Sequence, residues 1–264
     1  GGIKLDGVND AVTVANVPAL QFSTSDVTFE AKIKLSGSQP NYTGVIAKAT
    51  STLNNGIQLV IVNDKLAVEL SDGTTFFGVS NGLIGTTNLN NSAWNHVAVV
   101  VNRQDNAIRL YVNGVLEASF VNSAIATLNI STTTPLFIGK ERTSTLYFNG
   151  SMDEVRIWNS ALCQSDIQNR MNCELASGQT GLVVYHKYNA GFVNATNTTV
   201  TTATDASGNN NTGTLTNFAL TGTSSNWSEG AVVTGVSCTY DTVAATVAST
   251  NVSCNGGSNG SATV

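Results

Sequence analysis

The stretch Phe148-Asn149-Gly150-Ser151-Met152-Asp153-Glu154-Val155-Arg156-Ile157-Trp158-Asn159 decides how the chain is read. Asn149-Gly150 is turn chemistry, since both residues tolerate a left-handed backbone. The run that follows alternates apolar and polar positions, as a strand does when one face is buried. A short polar segment then leads to residues 165–171, the one segment that reads as helix, with Ser165 or Asp166 as its cap.

Working outward, the same period recurs between turn residues. Val27-Thr28-Phe29-Glu30-Ala31-Lys32-Ile33-Lys34-Leu35 alternates. Gly56-Ile57-Gln58-Leu59-Val60-Ile61-Val62 also alternates, and Asn63-Asp64-Lys65 turns it into Leu66-Ala67-Val68-Glu69-Leu70. Trp94-Asn95-His96-Val97-Ala98-Val99-Val100-Val101 is followed by Ile108-Arg109-Leu110-Tyr111-Val112, and Asn113-Gly114 makes a tight hairpin into Val115. Leu136-Phe137-Ile138-Gly139 and Leu182-Val183-Val184-Tyr185-His186 read as further strands. The expectation is an all-β, two-sheet antiparallel sandwich with one short helix.

Charged residues are 11% of 264, and Thr, Ser, Asn and Gly abound, which is an extracellular composition. The net charge of −5 comes without a run of Lys or Arg, so a nucleic-acid partner is not expected. Nor does any apolar run reach the roughly 20 residues of a membrane span, so membrane insertion is not expected. The chain opens on Gly1, without Met or a signal peptide, and stops in a repeat-like tail. It reads as a mature or excised portion of a longer protein. Four cysteines, Cys163, Cys173, Cys238 and Cys254, suggest disulfides and an oxidising compartment. Pairing in order is the simplest of three connectivities. A Cys163–Cys173 bridge then requires a short helix with a turn after it, because ten residues of straight helix span about 15 Å.

The ordered motifs at residues 5–14, 29–31, 94–100, 110–114, 136–139 and 148–159 resemble the laminin-G-like/concanavalin A-like jelly rolls, a group that includes the pentraxins. The resemblance implies a jelly-roll domain over 1–230, with 181–230 a permuted or accessory element packed on it. Residues 231–264 would begin a second small β repeat, truncated. Their tail, Ser249-Thr250-Asn251-Val252-Ser253-Cys254-Asn255-Gly256-Gly257-Ser258-Asn259-Gly260-Ser261-Ala262-Thr263-Val264, resembles the opening of repeats in surface adhesins of gliding Bacteroidetes. That implies a bacterial cell-surface protein exported by type IX secretion, joined to neighbouring domains. Asp241-Thr242-Val243 resembles the O-glycosylation sequon of the same phylum.

Candidate sites follow from oxygen and ring chemistry. In many relatives a structural calcium ties the first strand to the last, and Asp6, Asp10 and Asp153 fall in the corresponding motifs. Asp205-x-Ser207-x-Asn209-x-Asn211 sets oxygen side chains at alternate positions, as Ca2+ loops do, or as an Asx turn does without metal. Asp205 and Asn209 complete the metal candidates. Asn54 and Asn55, before Gly56, and Glu141, after Gly139-Lys140, resemble parts of the pentraxin ligand site, without its dense acidic cluster. Tyr42, Phe76, Phe77 and Tyr147 lie in loop-like or edge segments where a ring would stack on a sugar. Trp94 and Trp158 read as core. Arg103, Lys140 and Arg142 are the cations considered for anionic glycans.

Laminarinase-type and alginate-lyase-type enzymes share this sandwich. Retaining glycosidases need two carboxyls about 5–5.5 Å apart. No Glu-x-Asp-x-x-Glu motif occurs, and Asp153 and Glu154, adjacent in a strand, should face opposite ways. No catalytic residue is expected. The expected role is non-catalytic recognition of a polysaccharide or surface glycoconjugate. The alternative is a structural spacer or protein-binding domain.

Overall fold

The computed structural model describes residues 1–52, 55–143 and 145–233. The tail resembling adhesin repeats, the sequon-like triplet, Cys238, Cys254 and Asn54 lie outside these described residues. In chain order the strands are β1 (Gly2–Asp6), β2 (Ala11–Val14), β3 (Val27–Leu35), β4 (Thr43–Ala49), β5 (Gly56–Val62) and β6 (Lys65–Ser71). There follow β7 (Phe76–Phe77), β8 (Asn95–Asn102), β9 (Ala107–Val112), β10 (Val115–Val121), β11 (Leu136–Ile138) and β12 (Asn149–Trp158). The remainder are β13 (Leu182–His186), β14 (Thr202–Ala203), β15 (Gly213–Thr216) and β16 (Asn226–Ser228). One α-helix among the described residues, α1 (Gln164–Arg170), follows β12.

These strands make two antiparallel sheets. Sheet A runs β10-β9-β8-β3-β12-β1-β16, with β13 also beside β12, and sheet B runs β14-β15-β2-β11-β4-β5-β6-β7. The jelly-roll sandwich expected from periodicity is therefore present. The segment after α1 adds strands to both sheets: β13 and β16 to sheet A, β14 and β15 to sheet B. Two hairpins turn as their residues require. Asn63 and Asp64 have φ of 51° and 57°, and Asn113 and Gly114 have 49° and 74°, the left-handed pair that matches strand twist.

Alternation builds the core. Ile3 and Leu5 are buried between the sheets with half-exposed Lys4 between them, and Ile33 and Leu35 flank Lys34 in the same way. Phe29, Ile33, Val99, Met152 and Ile157 extend that core across sheet A. Each large apolar side chain so buried contributes about 1.5–3 kcal/mol.

A second, smaller core lies on the outer face of sheet A. Leu162, Ile167 and Leu175 pack there against Ala98, Val100, Tyr111, Trp158 and Tyr185. This places α1 over one end of the sheet. The helix begins one residue earlier than expected, with Cys163 at its N-cap, because the Asp166 side chain is drawn to Cys163 and Arg170 instead of capping. Cys163 is a free thiol whose Sγ lies 3.1 Å from Asp166 Oδ2. A Cys163–Cys173 bridge, the in-order pairing, is thus not formed.

Candidate functional site

The other end of the same outer face is open. Lys4 of β1 stands opposite Ser151 of β12, and Ser151 stands opposite Lys34 of β3. Strands lie about 4.8 Å apart, so the two lysine Cα atoms are about 10 Å apart on one face, with a serine between them. Asn95 pairs with Ile33, which brings Trp94 alongside Lys34 at the next strand. Trp94 is half-exposed, not core as its strand motif suggested.

These residues line a cleft of ≈ 410 Å³, whose far wall is formed by Val193, Asn194 and Thr223. Glu229, exposed at the rim, is the one acidic side chain lining it. Neither the Lys4 nor the Lys34 side chain forms an ion pair or hydrogen bond among the described residues.

The wall is held by buried amides. The Asn197 side chain accepts from Phe192 N at 2.9 Å and donates to the carbonyls of Phe192 and Ala195 and to Asn226 Oδ1. Asn226 in turn donates to Ala195 O and Gly222 O. Both amides are within 2% of complete burial. Gly191 lets this loop approach, since a Cβ there would fall 2.1 Å from the Trp227 ring.

The metal candidates do not share one place: Asp6 and Asp10 are neighbours, Asp205 and Asn209 share a loop through Ser207, and Asp153 stands apart from both. Asp6 pairs with Asn149 and Ile3 with Met152, so Asp6 and Asp153 sit near opposite ends of β1, roughly 13 Å apart along the strand. Asp6 Oδ1 accepts from Val8 N at 2.8 Å in an Asx turn. Asp10 accepts from Asp6 N and Ser225 Oγ, and its burial pushes the carboxyl up to about 6. Asp205 is saturated: Tyr185 N, Ser207 N, Ser207 Oγ and Asn211 N all donate to it at 2.8–2.9 Å. Asn209 donates its amide to Leu182 O and Val183 O. Backbone N–H groups take up lone pairs of Asp6, Asp10 and Asp205 that a hard cation would use, whereas Asn209 is held through its own amide N–H. No three acidic, histidine or cysteine side chains converge on a cation position among the described residues.

The ligand candidates are also dispersed. Tyr42 and Asn55 bracket β4, on the order of 20 Å apart at strand rise. Glu141 is 3% exposed and caps its own loop; burial pushes its carboxyl up, but the Thr143 hydroxyl, then Thr143 N and Thr145 N, hold it below its usual range. Tyr147 is half-buried, bridged to Lys140. Phe76 is exposed on sheet B's edge, whereas Phe77, Trp158 and Trp227 are buried. Arg103 is spent on Ser25 O and Ile125 O, and Arg142 on Glu69 at 3.6 Å. Lys140 sits 3.8 Å from the Phe137 ring centroid. The cations that the sequence advertised are thus tied up, whereas Lys4 and Lys34 have no side-chain partner among the described residues.

Asp153 and Glu154 do not face opposite ways. A bulge falls between Asp153 and Arg156, with Glu154 at φ 50°, and the bulge breaks the alternation. Burial and then the Glu154 charge push Asp153 up to about 7. Both carboxyls are 2% exposed. Asp153 accepts from Ala231 N and Glu154 N, while Glu154 pairs with Arg156 at 2.5 Å and accepts from Tyr185 Oη. Neither lines the cleft described above.

A family model described as the concanavalin A-like lectin/glucanases superfamily matches residues 6–168. No curated protein sequence matches the chain. Among solved structures, a candidate carbohydrate-binding protein from Bacteroides ovatus ATCC 8483 is 20% identical at a TM-score of 0.61. That alignment covers 81% of this chain and 58% of the Bacteroides protein, so the chain spans little more than half its length. The CBM40 of the Ruminococcus gnavus IT-sialidase, bound to α2,3-sialyllactose, is 18% identical at a TM-score of 0.51, with coverage of 63% and 94%. At these identities the likeness is one of fold. With two eight-stranded sheets and a family match over most of its length, the chain belongs to the concanavalin A-like lectin/glucanases superfamily.

Proposed function

We propose that the chain is a non-catalytic carbohydrate-binding module that holds a glycan in the cleft at the open end of sheet A. The observation that carries this reading is the juxtaposition of a half-exposed indole, Trp94, with Lys4, Lys34 and Ser151 in a concave, strand-borne site. A pyranose stacks its apolar face on a ring and meets donors at its hydroxyls. The superfamily name covers both lectins and glucanases, so the site must decide between them. Glu229 is alone as a carboxyl in this cleft, and a glycosidase needs two. The shared fold with a sialyllactose-bound module supports binding over cleavage.

Recognition in this reading is independent of calcium, because Asp6, Asp10, Asp153 and Asp205 accept from protein donors and Asn209 is held through its own amide N–H on Leu182 O. Export to a bacterial cell surface within a larger adhesin belongs to the same proposal, supported by a hydroxyl- and amide-rich, charge-poor composition.

A glycan panel screened with calcium and with chelator tests the proposal. Binding to at least one sugar class, equal in both conditions and without release of reducing ends, is the expected result. Trp94→Ala should weaken that binding about tenfold, the 1.4 kcal/mol scale of one aromatic contact. Failure to bind any sugar favours the spacer alternative, and new reducing ends would establish an enzyme.

A further inference from the structure

Two ammonium groups that face one cleft and form no ion pair repel each other, and Glu229 at the rim is the one carboxylate lining that cleft. The two ammonium groups also stand out in a chain of net charge −5. Several other lysines here are satisfied: Lys48 donates to Asn16 Oδ1 and Thr132 O, Lys32 to Asn172 Oδ1, and Lys187 to Glu174, whereas Lys65, at the start of β6 and away from this cleft, also has no side-chain partner among the described residues. Lys4 and Lys34 break that pattern in the place where the fold provides a concave, walled surface. From these observations we infer that the cleft is selective for an anionic sugar residue, its carboxylate or sulfate seated above Ser151 between Lys4 and Lys34. The inference rests on the reading of this cleft as the glycan site and adds the chemical class of its ligand.

The geometry suits one anion. Flexible four-carbon stems rooted about 10 Å apart can swing both ammoniums onto a group at their midpoint. The Ser151 hydroxyl lies beneath that midpoint as a third donor. Trp94, beside Lys34, offers the ring on which the same sugar's apolar face would rest. A neutral sugar gains only ordinary hydrogen bonds here and leaves the lysine repulsion in place. An anion relieves that repulsion and makes charge-assisted bonds, which are about twice as strong as neutral ones.

The far wall, Val193, Asn194 and Thr223, comes from residues beyond the family-matched 6–168. Lys34, Ser151 and Trp94 lie within the matched residues, so the C-terminal segment supplies the enclosure of the cleft and the sheet supplies its charge. Glu229 at the rim disfavours a second acid immediately beside the first. The best ligand would alternate acidic and neutral units.

The test is calorimetric titration of the whole chain with three sets of oligosaccharides: uronate-containing, sulfated, and the carboxyl-reduced neutral counterpart of the first. The acidic sets should bind at least about tenfold tighter than the neutral one, with the preference falling as salt is raised. The double variant Lys4→Ala/Lys34→Ala should lose that preference at an unchanged melting temperature, and Lys4→Arg/Lys34→Arg should keep it. Uronate binding without sulfate binding, or the reverse, supports the inference and identifies the anion. Equal affinity for acidic and neutral sugars, or a double alanine variant that binds acids like the parent, overturns the inference and leaves the carbohydrate reading standing. No binding to any of the three sets or to a neutral glycan panel overturns both.

Discussion

The outer face of sheet A has two ends with opposite chemistry. At the end under α1, every charge found a partner. Glu30 meets His96 Nε2 at 3.1 Å, Trp158 Nε1 at 2.9 Å and Arg156 at 3.4 Å. Arg156 also binds Glu154 and the carbonyls of Arg170 and Cys173, which pins the end of the helix to the sheet. Burial would raise the Glu30 carboxyl, but the His96 hydrogen bond and the Arg156 charge hold it down at about 2. At the other end Lys4 and Lys34 stand unpaired beside a half-exposed tryptophan. The same sheet, alternating in the same way, presents buried salt bridges where a helix covers it and free cations where nothing does. The lesson is that polar residues on a sandwich face take their role from the cover laid over them.

The largest effect should come from breaking the covered end. Arg156→Met leaves Glu30 and Glu154 buried without their counter-ion, and should cost about 3–5 kcal/mol in urea unfolding. A loss below about 1 kcal/mol would mean that the network is dispensable and the two ends are less different than argued.

Next comes the wall of the open end. Asn197→Ala removes an amide that joins three backbone groups and Asn226, and should cost about 1–3 kcal/mol. It should also weaken glycan binding, although residue 197 does not line the cleft. Full affinity in that variant would show that the loop needs no pinning.

The smallest effect concerns the seam. Residues 149–152 of β12 pair with β1 and residues 155–158 pair with β13, so Asp153 and Glu154 lie where the two ends meet. Burial and Glu154 raise Asp153 to about 7, while the N-terminal ammonium opposes this. A carboxyl raised in the folded state favours folding when protonated. Its contribution is complete below the unfolded value near 3.8, declines as pH rises towards 7 and is lost above that. Asp153→Asn does not titrate. Its melting temperature relative to the parent should therefore be higher at pH 8 than at pH 5, by roughly a few degrees. Asp10, His96 and His186 titrate in both proteins and cancel in the difference. A pH-independent difference would show that Asp153 is not the titrating group at the seam.

Much of the architecture was legible in one dimension. Ile3-Lys4-Leu5 and Ile33-Lys34-Leu35 each announce a strand with a core face, and Asn113-Gly114 announces its hairpin. The helix was placed to within one residue at each end. The bulge at Glu154 was not legible, because nothing in Asp153-Glu154-Val155 distinguishes a left-handed residue from an extended one. The site was less legible still. Trp94 shares its motif with real core residues, and exposure depends on what other segments leave uncovered. The amides and acids marked for ligands, such as Glu141 and Asp205, are those that close their own loops, a competing use of the same oxygen chemistry.

Side-chain period and turn residues are local properties, so the sequence alone determined the two-layer sandwich and the sidedness of each strand. Which strands become neighbours is settled by contacts between residues far apart in the chain. Only that tertiary pairing set Lys4, Ser151 and Lys34 in one row, closed a wall around them from beyond residue 190, and buried Glu30, Glu154 and Arg156 beneath a helix. Charge and burial act through space, and one-dimensional spacing carries no record of distances across a sheet.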